Sequence, residues 1–154
     1  GESAPLTKTG EKQVEILARQ CKRLKVELAV LPSEDLPRFT QATAKMEAVG
    51  IRVERVDGIS FKNMKGAAPI REIATTYRAA GIAMMRKLTD DESVPDKVVI
   101  IGSYPLITGL RHDPTTATDE ELDAKPEFCT GLVVTLNDDG LLAVINSDFD
   151  PIIF

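Results

Sequence analysis

One strand–helix–strand unit constrains the fold more than any other part of this sequence. Lys25–Leu31 has the apolar content of a buried strand, Ser33–Val49 has helical spacing, and Ile51–Val56 alternates imperfectly between apolar and charged residues. Two strands joined through a single helix run parallel in one sheet. We therefore expect an α/β fold whose ligand-binding edge lies at the carboxyl ends of these strands, near Pro32 and Asp57.

Other apolar patterns predict two more helices, another buried strand and a hairpin. These are Gly10–Lys25 with Thr9 as N-cap, a helix opening at Pro69 and reaching Leu88, the strand Lys97–Gly102, and the pair Leu132–Leu136 and Leu141–Ile145. A chain of 154 residues is long enough for one domain with its own core. We expect a single α/β domain over residues 1–154, of two or three layers. Its sheet is predicted to be mainly parallel and Rossmann-like, with a C-terminal antiparallel β-hairpin.

Two segments have no strong pattern. Residues 1–8 are predicted to be a flexible end, and residues 109–130 a polar loop or an insertion. Within the latter, Thr118 and Glu121 have the spacing of a capping box for a short helix.

Gly81 falls inside the third predicted helix, where it costs about 1 kcal/mol relative to Ala. Either another element packs closely there or the helix bends.

Composition limits the environment and the partners. No apolar run approaches ~18 residues and no charged-then-apolar leader opens the chain, so we expect a cytoplasmic protein without a membrane span. Aromatic residues make up 5% and Trp is absent. Nucleic acid is therefore not an expected partner, since single-strand binding uses exposed rings. Cys21 lies on the apolar stripe of the first helix, which predicts a buried free thiol.

The two parts of the chain differ in charge. Residues 1–89 hold 16 Lys and Arg against 10 Asp and Glu, whereas residues 90–154 hold 3 against 14. The two parts could attract each other across the fold. Alternatively, one charged face could guide an anionic ligand or a protein partner.

Few residues carry obvious chemistry. His112 is the only histidine and precedes Asp113, but side chains adjacent in sequence rarely meet, so the pair is weak support for acid–base catalysis. Cys129 would need that histidine nearby to act as a nucleophile. Asp148 and Asp150 stand at i and i+2, where both carboxylates can face the same way and bind a divalent cation such as Mn²⁺ or Mg²⁺. An ordinary turn is the alternative for this pair.

A family resemblance covers about Val26–Gly102. Val30-Leu31-Pro32, the helix through Arg38-Phe39, and the run Gly50-Ile51-Arg52-Val53-Glu54-Arg55-Val56-Asp57-Gly58 resemble the opening of family-25, lipooligosaccharide-type glycosyltransferases. The resemblance implies a nucleotide-sugar-binding domain of GT-A type. The chain departs from the family at Gly102-Ser103-Tyr104, where the family has its Glu-Asp-Asp metal motif. A divergent or inactive relative is therefore expected.

These observations combine into a functional hypothesis: a nucleotide-sugar-binding, glycosyltransferase-like protein. Asp57 would contact the nucleoside or its ribose, Arg38 or Lys65 the diphosphate, and Asp148 with Asp150 a divalent metal. Ser103 would line the ligand site from the end of its strand. The alternative is a non-catalytic binding or assembly module, viral or accessory, that recognises a protein partner through a charged surface.

Overall fold

The computed structural model describes residues 7–57, 59, 69–124, 126, 129–138 and 140–154. In chain order, its elements are α1 (Lys8–Arg23), β1 (Leu28–Pro32), α2 (Pro37–Ala48), β2 (Arg52–Val56), α3 (Ile70–Thr89), β3 (Lys97–Ile101), α4 (Tyr104–Arg111), α5 (Asp119–Asp123), β4 (Thr130–Thr135), β5 (Gly140–Asn146) and β6 (Phe149–Ile153). The strands form one six-stranded open sheet in the order β2-β1-β3-β4-β5-β6. The mixed α/β class is confirmed.

The sheet is parallel at one end and antiparallel at the other. β1 pairs in parallel with β2 and with β3, as the strand–helix–strand pattern predicts. The pairs β3–β4, β4–β5 and β5–β6 are antiparallel, so the prediction of a mainly parallel sheet holds only for its first three strands. The change from parallel to antiparallel pairing occurs between β3 and β4, where Ile101 at the end of β3 lies opposite Gly131 near the start of β4. The segment that joins these two strands therefore leaves the sheet and returns to it at the same edge.

Helices cover both faces of the sheet. On one face Ala29 and Leu31 of β1 pack with residues of α1 and α2. On the other face Leu28 and Val30 pack with residues of α3 and α4. β1 is buried on both sides and all five of its residues are buried, which accounts for its continuous apolar run.

Two helix starts differ from the sequence prediction by two residues or more. α1 begins at Lys8 and its N-cap is Thr7, whose Oγ1 accepts from Gly10 N at 3.0 Å, so the predicted cap at Thr9 is wrong. Residues 7 and 8 of the predicted flexible end therefore belong to the start of α1, and residues 1–6 lie outside the described part. α2 begins at Pro37 rather than Ser33. Proline suits this first position because the N–H it lacks would have no acceptor within the helix.

Two elements were not predicted. α4 follows β3 directly, and its Pro105, which resembles a turn signal in the sequence, occupies the tolerated first turn of a helix. β6 contains Pro151 and lies at the edge of the sheet, where a missing N–H donor costs no ladder bond. The predicted hairpin is confirmed as β4 and β5.

α3 and α4 pack closely, which explains Gly81. A Cβ on Gly81 would lie 2.9 Å from Leu110 Cδ2 and 3.2 Å from Leu106 Cδ1. Close packing, one of the two alternatives from the sequence, is therefore what the glycine permits.

Within the described residues, no helix combines the length and the apolar character needed to cross a membrane.

The segment between α4 and β4 is partly ordered by its own hydrogen bonds. The predicted capping box is present: Thr118 Oγ1 accepts from Glu121 N at 3.1 Å, and Glu121 Oε1 accepts from Thr118 N at 2.9 Å. Arg71 of α3 donates to Ala117 O at 2.9 Å and to Pro114 O. The region predicted to be a loop or insertion is thus tied to α3.

Candidate functional site

The carboxyl ends of β1, β2 and β3 meet at one edge of the sheet. The β1–β2 register ends with Pro32 beside Val56, and Ser33 N continues it by donating to Val56 O at 2.9 Å. Ser33 Oγ donates to Asp57 Oδ1. β3 lies on the other side of β1 and ends just before Ser103. We call the space outside these ends, bounded by Ser33, Asp57 and Ser103, the crevice.

The crevice lies where the chain turns toward opposite faces. After β1 the chain enters α2, which packs through Phe39 and Met46 on one face. After β3 it enters α4, which packs through Leu106 and Ile107 on the other face. Adjacent parallel strands with this divergence leave an opening outside their carboxyl ends, where α/β proteins bind ligands.

Arg55 holds the turn that follows β1. Its Nε donates to Pro32 O at 2.7 Å and a terminal nitrogen donates to Glu34 O at 2.7 Å. The other terminal nitrogen contacts Thr43 Oγ1 of α2 at 3.3 Å. One side chain of β2 therefore links the β1 end to α2, and this fixes the position of Ser33.

Ser103 is the most unusual polar residue at this edge. It is the N-cap of α4 and only 4% exposed, yet among the described residues its Oγ has no hydrogen-bond partner. An N-cap hydroxyl normally accepts from the second or third helical N–H, and the second position here is Pro105, which has none. A buried hydroxyl without a partner costs about 1–3 kcal/mol, which an acceptor on a ligand would recover.

The start of α4 also offers backbone donors. The first intrahelical acceptor is Ser103 O, which receives Ile107 N at 3.1 Å. The N–H groups of Tyr104 and Leu106 have no acceptor within the described part of the chain. Unpaired N–H groups and the positive end of the helix dipole favour an anion at this point.

Two predicted ligand contacts lie at or near the same edge, and one cannot be placed. Asp57 is exposed at the end of β2. Arg38 is in the first turn of α2, where its guanidinium carbon lies 5.0 Å from the centroid of the Phe39 ring. Lys65 lies outside the described residues.

The predicted metal ligands do not line the crevice. Asp148 belongs to the turn after β5, where its N–H donates to Asn146 Oδ1 at 2.8 Å, and Asp150 lies in β6. The turn is at the same edge, but β4 separates β5 from β3, and both β3 and β4 separate it from β1. The lateral distances are about 10 Å from β3 and about 14 Å from β1. Among the described residues, no three His, Cys, Asp or Glu side chains cluster as metal ligands. Asp148 and Asp150 therefore lie outside the crevice, and a metal bound by this pair stays a prediction.

His112 and Cys129 face different parts of the protein. His112 Nδ1 lies 3.5 Å from Glu121 Oε2, whereas its sequence neighbour Asp113 accepts from Thr115. Cys129 packs against the cluster of α1 and α2 that contains Cys21. Burial raises the pKa of the Cys129 thiol to about 12. A Cys129 nucleophile activated by His112 is therefore not supported. Neither cysteine forms a disulfide, and Cys21 is buried as predicted.

The sequence pointed only indirectly to Ser33 and Arg55. Ser33 was predicted to start the second helix, but it precedes α2 and its hydroxyl donates to Asp57. Arg55 interrupts the apolar–polar alternation of β2 by following Glu54, and this irregularity was the available signal. Its importance depends on Pro32 O and Glu34 O lying beside it, which the spacing of residues does not show.

No family model, curated protein or solved structure matches the chain.

Proposed function

We propose that this protein binds a nucleotide-diphosphate sugar in the crevice, as a glycosyltransferase-like protein with a Rossmann-like binding edge. The observation that carries the proposal is Ser103: a residue 4% exposed, whose hydroxyl has no partner in the described structure, at the N-cap of a helix whose first turn offers unpaired N–H groups. A diphosphate supplies the acceptor oxygens and the negative charge that such a site favours.

The end of β2 offers a group that can bind the ribose of a nucleotide. Asp57 is exposed and its Oδ1 accepts from Ser33 Oγ. A carboxylate has acceptor capacity for more than one donor, so Asp57 can also accept from ribose hydroxyls. Ser103 and the start of α4 would then hold the diphosphate, with Asp57 two strands away holding the nucleoside side.

The proposal concerns binding rather than sugar transfer. A divalent cation usually offsets the charge on a departing nucleotide in sugar transfer, and Asp148 with Asp150 do not reach the crevice. We therefore derive no transfer step, in keeping with the departure from the family pattern at Gly102-Ser103-Tyr104.

Calorimetric titration with UDP, GDP, CDP and their hexose conjugates, with and without Mn²⁺, tests the proposal. We expect one nucleotide to bind and Ser103→Ala to weaken its binding about tenfold to a hundredfold, because a hydrogen bond to a charged group is lost. Asp57→Asn should weaken nucleoside-diphosphate binding while leaving binding of inorganic diphosphate unchanged. Ser103→Ala should fold normally, because its hydroxyl has no partner in the described structure.

Asp148→Asn is the matched control for Asp57→Asn, since it makes the same change at the same sheet edge outside the crevice. It should bind as the wild type does, with or without Mn²⁺. If no nucleotide binds, or if Ser103→Ala binds as tightly as the wild type, the proposal fails. Complete absence of nucleotide binding would favour the alternative of a non-catalytic module that recognises a protein.

A further inference from the structure

A second concave site lies away from the crevice, between α4, α5 and the C-terminal strands. It has a volume of about 330 Å³, near the lower end of the range for small-molecule sites. We call it the α4–α5 pocket, and its lining includes Ile107, Thr108, Arg111, His112, Glu121 and Phe149. α4 spans eight residues, about 12 Å, so Ser103 and Arg111 mark opposite ends of the same helix.

The acidic group of this pocket is already engaged. Glu121 Oε1 accepts from Thr118 N at 2.9 Å and from Thr118 Oγ1 at 3.2 Å. Glu121 Oε2 lies 3.5 Å from His112 Nδ1. The carboxylate is thus held by the capping box of α5 and by the histidine, which leaves it poorly placed to bind a cationic ligand.

The basic group of the pocket is not engaged. Arg111 is exposed, and its guanidinium has no hydrogen-bond partner or ion pair among the described residues. A basic side chain in the last turn of a helix often donates hydrogen bonds to the terminal carbonyls. Here Arg78 of α3 already does so, donating to Gly109 O at 2.8 Å and to Leu110 O at 3.4 Å. Arg111 is therefore available to a ligand.

Thr108 supplies an independent sign of a ligand. The residue is only 3% exposed and lines the pocket, and in the described structure its hydroxyl forms no hydrogen bond. Ile107 and Phe149 provide apolar wall beside it. An unpartnered hydroxyl that opens only into the pocket, next to a free guanidinium and an apolar wall, matches a molecule with an anionic head and a hydrocarbon body.

We propose that the α4–α5 pocket binds a small organic carboxylate. Its carboxylate would pair with Arg111 and accept from Thr108 Oγ1, and its apolar body would contact Ile107 and Phe149. A single negative charge is favoured over two, because the Glu121 carboxylate in the same lining repels further charge. This site is independent of nucleotide binding at the crevice.

Titration of isotope-labelled protein by NMR tests this site with benzoate as the probe, benzamide as its neutral isostere and phenyl phosphate as the dianion. We expect benzoate to shift the signals of Thr108, His112 and Phe149 saturably, with benzamide and phenyl phosphate at least about tenfold weaker. Equal binding of benzamide, tighter binding of phenyl phosphate, or no saturable shift at these residues would overturn the proposal.

Two substitutions assign the contacts. Arg111→Gln should weaken benzoate binding about tenfold, whereas Arg23→Gln, the matched change in the exposed last turn of α1, should have no effect. Thr108→Val keeps the shape of the side chain and should weaken benzoate binding about fivefold. Unchanged affinity in Arg111→Gln would refute the assignment. Added UDP should leave the benzoate affinity unchanged, which separates this site from the crevice.

Discussion

Gly109 of α4 lies directly against the backbone of Ala74 in α3: a Cβ on Gly109 would sit 2.5 Å from Ala74 O. Arg78, one turn further along α3, donates to Gly109 O at 2.8 Å. These contacts fix α4 on α3. Because α4 carries Ser103 at one end and Arg111 at the other, both proposed sites depend on this crossing.

Gly109→Ala should destabilise the protein by about 1–3 kcal/mol, because the contacting atom is a backbone carbonyl that moves only if the helices separate. Gly81→Ala is the control. Its new Cβ would meet the ends of Leu110 and Leu106 side chains, which can rotate, and Ala gains about 1 kcal/mol of helix propensity over Gly. Urea unfolding measures both, and equal midpoints for the two variants would contradict this view of the helix crossing.

Arg71→Ala should cost about 1–3 kcal/mol through lost hydrogen bonds from a charged donor. Arg71 donates to Pro114 O and Ala117 O as well as pairing with Asp119, whose side chain is 88% exposed. Asp119→Asn, which removes only the exposed ion pair, should cost less than about 0.5 kcal/mol. Thermal unfolding of the two variants in low and high salt separates the contributions. An Asp119→Asn effect as large as that of Arg71→Ala would contradict the prediction.

The Glu121 carboxyl should titrate below its ordinary range. Hydrogen bonds from Thr118 N and Thr118 Oγ1 lower its pKa from the usual 4.5, with a smaller contribution from His112. Because the native pKa lies below the unfolded value, this carboxylate stabilises the fold above about pH 4.5 and loses that contribution as the pH falls through the native pKa. Carboxyl NMR titration should show the Glu121 pKa rising in Thr118→Ala and staying unchanged in Thr115→Ala.

Both cysteines should resist thiol reagents while the protein is folded. Burial raises the pKa of Cys21 and of Cys129 from 9.0 to about 12, so few thiolates form near pH 8. The unfolded thiols ionise first as the pH rises, so the free energy of unfolding should fall progressively between pH 9 and pH 12. Labelling with a disulfide reagent at pH 8 should follow unfolding by urea. Rapid labelling of Cys129 in native protein would show a thiol more accessible than its packing indicates.

Sequence patterns predicted the parts of the fold that local chemistry controls. β1 and β3 are continuous apolar runs, which are typical of buried strands. The capping box at Thr118 depends only on two side chains three residues apart. α4 and β6 were missed because Pro105 and Pro151 resemble breakers. Their positions, in a first helical turn and on an edge strand, make both prolines acceptable. Such positions depend on the assembled sheet.

The candidate sites were harder to predict than the fold. Asp57 and Ser103 follow strands, so parallel pairing alone brings them to one edge. The tie from Arg55 to Pro32 O and Glu34 O depends on β1 and β2 being neighbours. The pairing of His112 with Glu121 likewise depends on how α5 folds back beside α4. Residues distant in sequence make these contacts, and no spacing rule identifies them.

Binding of a nucleotide diphosphate at the start of α4 can be followed through the backbone amide signals during a titration with UDP, GDP and CDP. We expect at least one nucleotide to shift the amides of Tyr104 and Leu106 saturably, together with those of Ser33 and Asp57, and Ser103→Ala to weaken this response. Saturable shifts confined to other regions, or no shift at Tyr104 and Leu106 with any of the three, would contradict it.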